Sequence, residues 1–357
     1  MIEINGKKYE KTINLALQGG GAHGAFTWGV LDRILEDERI FITAVSGTSA
    51  GAMNAVVMAD GLHRTGTKKG ARQALNRFWR AVSLIGNFSP VRRTFWDMLF
   101  GNWNLNRSPG YRYYGAINQV LSPYQRNPLN INFLREVLNR LVDFERVRAC
   151  NSLLVYVSAT NVETGRVKVF DRKSLTADMV LASACLPTVF QAVEIDGVPY
   201  WDGGFVGNPV LFPFYNESPS DDILIVQINP IVRKGTPRTA HEIQNRMNEI
   251  NFNSSLMHEL RSIWFVRRLI EDDRLSMKSY RKLNMHILGG MHELSDLDAS
   301  SKLNTEWLFF KHLFRIGRET ADNWLQEHYE SINNNSSVDL QELLNNPNYL
   351  EDRLSLV

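Results

Sequence analysis

Between residues 13 and 59 the chain twice runs from a short apolar stretch into a glycine turn and then into a helical pattern. This repetition constrains the fold more than any other feature. Ile13 to Leu17 leads into Gly19-Gly20-Gly21, and Phe26, Val30, Ile34 and Leu35 follow at helical spacing within Ala25 to Glu38. Phe41 to Val45 is a second apolar run, ending in Ser46-Gly47-Thr48-Ser49-Ala50-Gly51 and a small-residue helix to about Ala59. Strand, turn and helix repeated in this order predict an α/β fold on a mostly parallel sheet, because parallel neighbours require a crossover.

Beyond this unit the pattern changes character. A basic helix is expected over about Thr67 to Val82, followed by an aromatic, glycine-punctuated stretch holding Phe88, Phe95, Trp96, Phe100, Trp103, Tyr111, Tyr113 and Tyr114. A helix at Asn132 to Leu141 and strands at Leu153 to Ala159, Val167 to Phe170, Val198 to Trp201 and Ile223 to Ile228 return the chain to the sheet. Long helical patterns then cover Glu242 to Ile270 and Leu303 to Leu325, with a short apolar run at Met285 to Leu288 between them. The expected organisation is one large domain over 1–330 with its core at about 13–230, an aromatic-rich insert at about 67–125, a helical extension at about 240–330 and a polar tail over 331–357.

Composition narrows the partners. Hydrophobic residues at 44% and charged residues at 22% fit a globular chain with enough apolar material for a buried sheet. A formal charge of +2 provides no whole-molecule field for nucleic acid. Cys150 and Cys185 are too few for a disulfide framework or a cysteine zinc site, and read as buried thiols in a reducing compartment. No stretch reaches the roughly 18 to 20 apolar residues that span a bilayer, and the run after Lys7, Lys8 and Lys11 is too short for a signal-peptide core. A cytoplasmic protein, peripheral to membranes at most, is expected; secretion by a folded or C-terminal signal leaves no such trace.

Three segments carry chemistry. Gly47-Thr48-Ser49-Ala50-Gly51 is a G-x-S-x-G between strand and helix, a turn that strains the serine backbone and points its hydroxyl outward at the sheet edge. Gly19-Gly20-Gly21-Ala22-His23-Gly24 forms a nest of backbone N–H groups at a helix start, suited to a phosphate or to a developing oxyanion. A dinucleotide site needs an acid at the end of the next strand, which here ends in Val45-Ser46-Gly47, so a nucleotide-binding module is the weaker reading. Trp201-Asp202-Gly203-Gly204 places a carboxylate at a strand end beside flexible backbone, where it suits a base meeting Ser49 directly.

These motifs together with Ala182-Ser183-Ala184-Cys185-Leu186-Pro187 and Glu194-Ile195-Asp196-Gly197 resemble the patatin-like phospholipase family over about residues 13–230. The resemblance implies a three-layer α/β/α sandwich and a Ser-Asp dyad with no histidine and no metal or organic cofactor. On its motifs Ser49 is the nucleophile, Asp202 its base, Gly19, Gly20 and Gly21 the oxyanion hole, and Gly47 and Gly51 the flanks of the nucleophile elbow. It implies phospholipase A or lysophospholipase-type hydrolysis of a lipid ester at a membrane surface; an esterase or thioesterase acting on another acyl substrate is the nearest alternative. His23 departs from the family, where Arg or Lys often stands, and its expected part is to support the turn.

An α/β-hydrolase triad is a competitor, with Ser49, Asp202 and one of His241, His258, His286 or His292, but too few strands precede residue 49 for that fold. The aromatic stretch, with Arg92, Arg93, Arg107 and Arg112, suits either a cover for the core or a lid that docks on lipid. The amphipathic patterns around Leu256 to Arg268 and Leu303 to Phe314 suit core packing, a membrane face or a homodimer seam.

Overall fold

The computed structural model describes residues 2–4 as backbone, 7–87, 89–289, 294–346 and 348–349, with Ala240 and His241 described only as helical backbone. Phe88, His292 and the tail beyond residue 349 lie outside the described residues, as does the His241 side chain.

A small hairpin, β1 (Ile2–Ile4) and β2 (Lys7–Tyr9), precedes the central sheet. The sheet strands are β3 (Lys11–Leu17), β4 (Ile40–Gly47), β5 (Leu154–Asn161), β6 (Val167–Asp171), β7 (Val193–Ile195), β8 (Val198–Asp202), β9 (Asp222–Gln227) and β10 (Asn284–Gly289). Their order is β10-β9-β3-β4-β5-β8-β7, with β6 also paired to β5. From β10 through β5 neighbours run parallel, whereas β6 and β8 lie antiparallel to β5, and β7 to β8.

Strand periodicity builds two cores. Leu15, Leu17, Leu224 and Val226 enter one, with Phe26, Met53, Phe78 and Phe310 of the helices Gly24–Glu36, Ala50–Thr65, Lys68–Gly86 and Trp307–His328. The intervening Ala16, Ile223 and Ile225 enter the other, with Leu256 and Leu260 of the helix Ala240–Glu271 and Leu340 of Leu340–Asn345. Helices therefore cover both faces, and strands buried on both sides read as unbroken apolar runs. The architecture is a three-layer α/β/α sandwich.

Several expectations shift in detail. The pattern over 303–325 divides into a short 3-10 helix, Ala299–Leu303, and a helix that starts only at Trp307. Between them the Asn304 side chain accepts from the Glu306 N–H (3.0 Å) and donates to the Trp103 carbonyl (3.0 Å), bonds that compete with helical pairing. Lys68–Gly86, expected at the start of the insert, packs into the core through Leu75, Phe78 and Trp79, whose indole N–H donates to Asn54 (3.0 Å). The polar run at 333–337 is tied down: the Asn333 side chain donates to Thr12 O (2.8 Å) and to the Asp222 carboxylate (2.9 Å).

Candidate active site

Register brings the three motifs to one edge of the sheet. Leu17 pairs with Gly47, and Gly47 with Val157, so the glycine turn and the serine turn leave adjacent strands at the same level. β8 runs the opposite way and pairs Asp202 with Ala159, two residues beyond Val157, so the carboxylate also lies near the end of the sheet where β4 gives way to the Ser49 turn. Across the intervening β5, the Ser49 hydroxyl reaches the Asp202 carboxyl as a hydrogen-bond partner.

Ser49 occupies a left-handed backbone conformation (φ 53°, ψ −118°) immediately before the helix Ala50–Thr65. A non-glycine residue held there is strained, and the strain is sustained by its surroundings. Its N–H donates to the buried Ser183 hydroxyl (2.9 Å), and Gly51 passes so close to the Leu17 carbonyl that a methyl group would overlap it. A side chain at Gly19 would lie 2.7 Å from Ser49 Cβ. Small residues on both turns are therefore a packing necessity.

Asp202 is almost completely buried (2% exposed) and accepts the Gly204 N–H at 2.7 Å. Burial pushes its carboxyl up to about 7, against the opposing pull of that amide, of the Ser49 hydroxyl acting as a hydrogen-bond partner, and of Lys302. The Ala182–Pro187 segment ties the two together, since Ser183 holds the Ser49 amide while the Cys185 carbonyl accepts the Asp202 N–H (2.8 Å). Cys185 itself is buried, its thiol pushed up to about 12.

The three glycine amides are not equivalent. Gly19 N–H donates to Asn208 Oδ1 (2.6 Å) and its carbonyl accepts from Asn229 Nδ2 (2.7 Å). The Gly20 and Gly21 amides make no hydrogen bond among the described residues. His23 supports the turn. Ser301 donates its one hydroxyl proton to the Asp298 carbonyl (2.7 Å), so the 2.7 Å bond between Ser301 Oγ and His23 Nε2 is donated by the imidazole. Burial, with the nearby Lys302 and Arg233, holds His23 well below the ordinary histidine range, as the neutral ring.

The two described histidines of the competing triad, His258 and His286, do not converge here. His286 is fully buried between Asp222 (3.0 Å) and the Ser337 hydroxyl (3.0 Å), and Asp222 opens β9 at the opposite end of the sheet, four residues before the level of Leu17. His258 is exposed on its helix. Sequence reading missed Ser183, Asn208, Asn229 and Lys302; the proline motif pointed toward the first and Asn208 follows Gly204 by four residues, while the other two lie far from any motif.

The aromatic stretch splits in two. Trp103 packs on Phe309 (ring centroids 5.2 Å) beneath the guanidinium of buried Arg93, which is paired with Glu306 (2.6 Å). Phe95, Trp96, Met98, Leu99 and Phe100 instead face solvent, Trp96 60% and Phe100 72% exposed.

Comparison with known proteins follows the same lines. Residues 15–215, more than half of the chain, match the family model described as patatin-like phospholipase. Among solved structures the chain is similar to VipD from Legionella pneumophila (15% identity, TM-score 0.41, covering 89% of this chain and 67% of that one). It is also similar to the type III effector ExoU (16% identity, TM-score 0.33, covering 90% and 54%), and to ExoU in its heterodimeric complex with SpcU from Pseudomonas aeruginosa (16%, TM-score 0.35, covering 91% and 53%). The chain thus spans about two thirds of VipD and about half of ExoU. No curated protein sequence is similar enough to match it. The chain belongs to the patatin-like phospholipase family.

Proposed function

We propose that this protein is a serine acyl hydrolase that cleaves a carboxylic ester in phospholipids or related acyl lipids with a Ser49–Asp202 dyad. The observation that carries the reading is the hydroxyl of Ser49, a residue with a strained backbone, set against a carboxyl that burial has raised to about 7, beside two amides with no bond among the described residues. Asp202 is thereby poised to exchange a proton near neutral pH, which a surface carboxylate is not.

Ser49 Oγ attacks the acyl carbon as its proton passes to Asp202. The carbonyl oxygen, now negative, accepts the N–H groups of Gly20 and Gly21, while Gly19 holds the turn through Asn208 and Asn229. Collapse of the intermediate expels the alcohol portion, which takes the proton from Asp202 and leaves Ser49 acylated. Water then attacks the acyl-enzyme by the same route in reverse, releasing a fatty acid.

The exposed Phe95 to Phe100 segment is read as the surface that meets the lipid. Its apolar side chains are flanked by exposed Arg92 and Arg107, a mixture suited to anionic headgroups. Mixed phospholipid vesicles analysed by mass spectrometry test the function: wild type should release fatty acids, and Ser49→Ala and Asp202→Ala should lose turnover while keeping their fold. Release undiminished in Ser49→Ala, or none from any acyl lipid by wild type, would refute it.

A further inference from the structure

The family segment ends at residue 215, yet a short 3-10 helix far beyond it, Ala299–Leu303, closes against the glycine turn. Ser301 accepts from His23, and the Lys302 carbonyl lies 2.5 Å from where a side chain on Gly21 would begin, so only glycine (φ 57°) fits there. The Lys302 ammonium donates to Asn229 Oδ1 at 2.8 Å. That oxygen is 3.7 Å from the Cβ position of Gly20, and the other arm of the same amide holds Gly19. The ammonium also sits 5.8 Å from the centre of the Phe252 ring, whose edge lies 3.0 Å from where a side chain on Gly204, the residue that donates to Asp202, would begin. Asn229, which also holds Gly19, thus anchors one cation beside the glycine turn, within electrostatic reach of the Asp202 carboxylate.

We propose that Lys302 is the fixed cation of this active site, a positioning residue that favours the ionised form of Asp202 and negative charge at the glycine turn. It rests on the Ser49–Asp202 reading. His23 is neutral and cannot supply that charge. Around the ammonium stand Asp202 and Glu249, which favour the charged form, and Arg233, which opposes it; Arg233 is itself paired with Glu249 (2.7 Å). Burial brings Lys302 down to about 8 and pushes Asp202 up to about 7, and on the helix that carries Phe252 burial also pushes Glu259, which holds the Leu211 and Phe212 amides, up to about 7. An ammonium beside a carboxylate lowers the carboxyl, so removing it must move the base to higher pH.

The test compares Lys302→Met, Lys302→Gln and Lys302→Arg with wild type by kcat/KM against pH on phospholipid vesicles, with melting temperature as a control. Neutral variants should lose about 10-fold to 100-fold in kcat/KM at pH 7 and shift the acidic limb upward, and the arginine variant should recover most of both. Folded neutral variants with the wild-type profile would overturn the proposal. Should neither neutral variant fold, wild type decides: its kcat/KM should fall as pH rises through about 8, and a profile flat to pH 10 overturns it. The two readings fail separately: hydrolysis that survives Ser49→Ala would remove the dyad, whereas wild-type pH profiles in folded neutral Lys302 variants would remove only the part assigned to Lys302.

Discussion

Asp202 shows at the scale of one residue how a site sets function against stability. Its carboxyl titrates near 7 in the folded protein and near 3.8 in an unfolded chain, so between those pH values the folded state binds the extra proton. Stability from this group is therefore greatest at low pH and declines as pH rises through the window, the reverse of a salt-bridged acid. Asp202→Asn, neutral at every pH, should be more stable than wild type at pH 8 by on the order of 1–3 kcal/mol, and the gain should vanish toward pH 4. Thermal melts at the two pH values check this; a gain of equal size at both contradicts it. In the proposed dyad the same residue sets the activity profile. As the base must be ionised, kcat/KM should climb about tenfold per pH unit and level near pH 7, whereas a limb near pH 4 would exclude Asp202 as the base.

Among elements, the tight partnership of β3, β4 and the helix Ala50–Thr65 is the part that leaves no slack. Gly51→Ala would press a methyl group into the Leu17 carbonyl and should cost about 1–3 kcal/mol or more in urea denaturation, together with nearly all activity. An unchanged denaturation midpoint would show that the turn has more room than described. These elements were legible from the chain because both strand faces are buried and the turns demand small residues, so Ile13 to Leu17, Phe41 to Val45 and Gly47 to Gly51 spell out their own structure. The register that pairs Asp202 with Ala159 was not legible, since β8 joins antiparallel through residues that carry no directional signal. Nor was the division of the glycine amides, because Asn208 and Asn229 reach Gly19 from some 190 and 210 residues away. The break at Asn304 escaped for a related reason: the hydrophobic period runs through it, and only the side-chain bonds to Glu306 and Trp103 stop the helix.

Over the whole molecule, segments outside the family match complete and cover what that match begins. Among the described residues no helix is long and apolar enough to cross a membrane. Trp96→Ala and Phe100→Ala should reduce sedimentation with anionic vesicles severalfold at unchanged stability, while Trp103→Ala, which strips packing from Phe309 and Arg93, should lower stability by about 2–3 kcal/mol. Unchanged vesicle binding in both exposed variants would assign those aromatics another role. The account as a whole stands on Ser49 being the reacting atom of the site, and covalent capture tests it most directly. Treatment with a serine-directed fluorophosphonate followed by peptide mass spectrometry should give one adduct, on the peptide carrying Ser49, absent from Ser49→Ala and formed far more slowly in Asp202→Asn. An adduct on another residue, or one undiminished in Ser49→Ala, would contradict it.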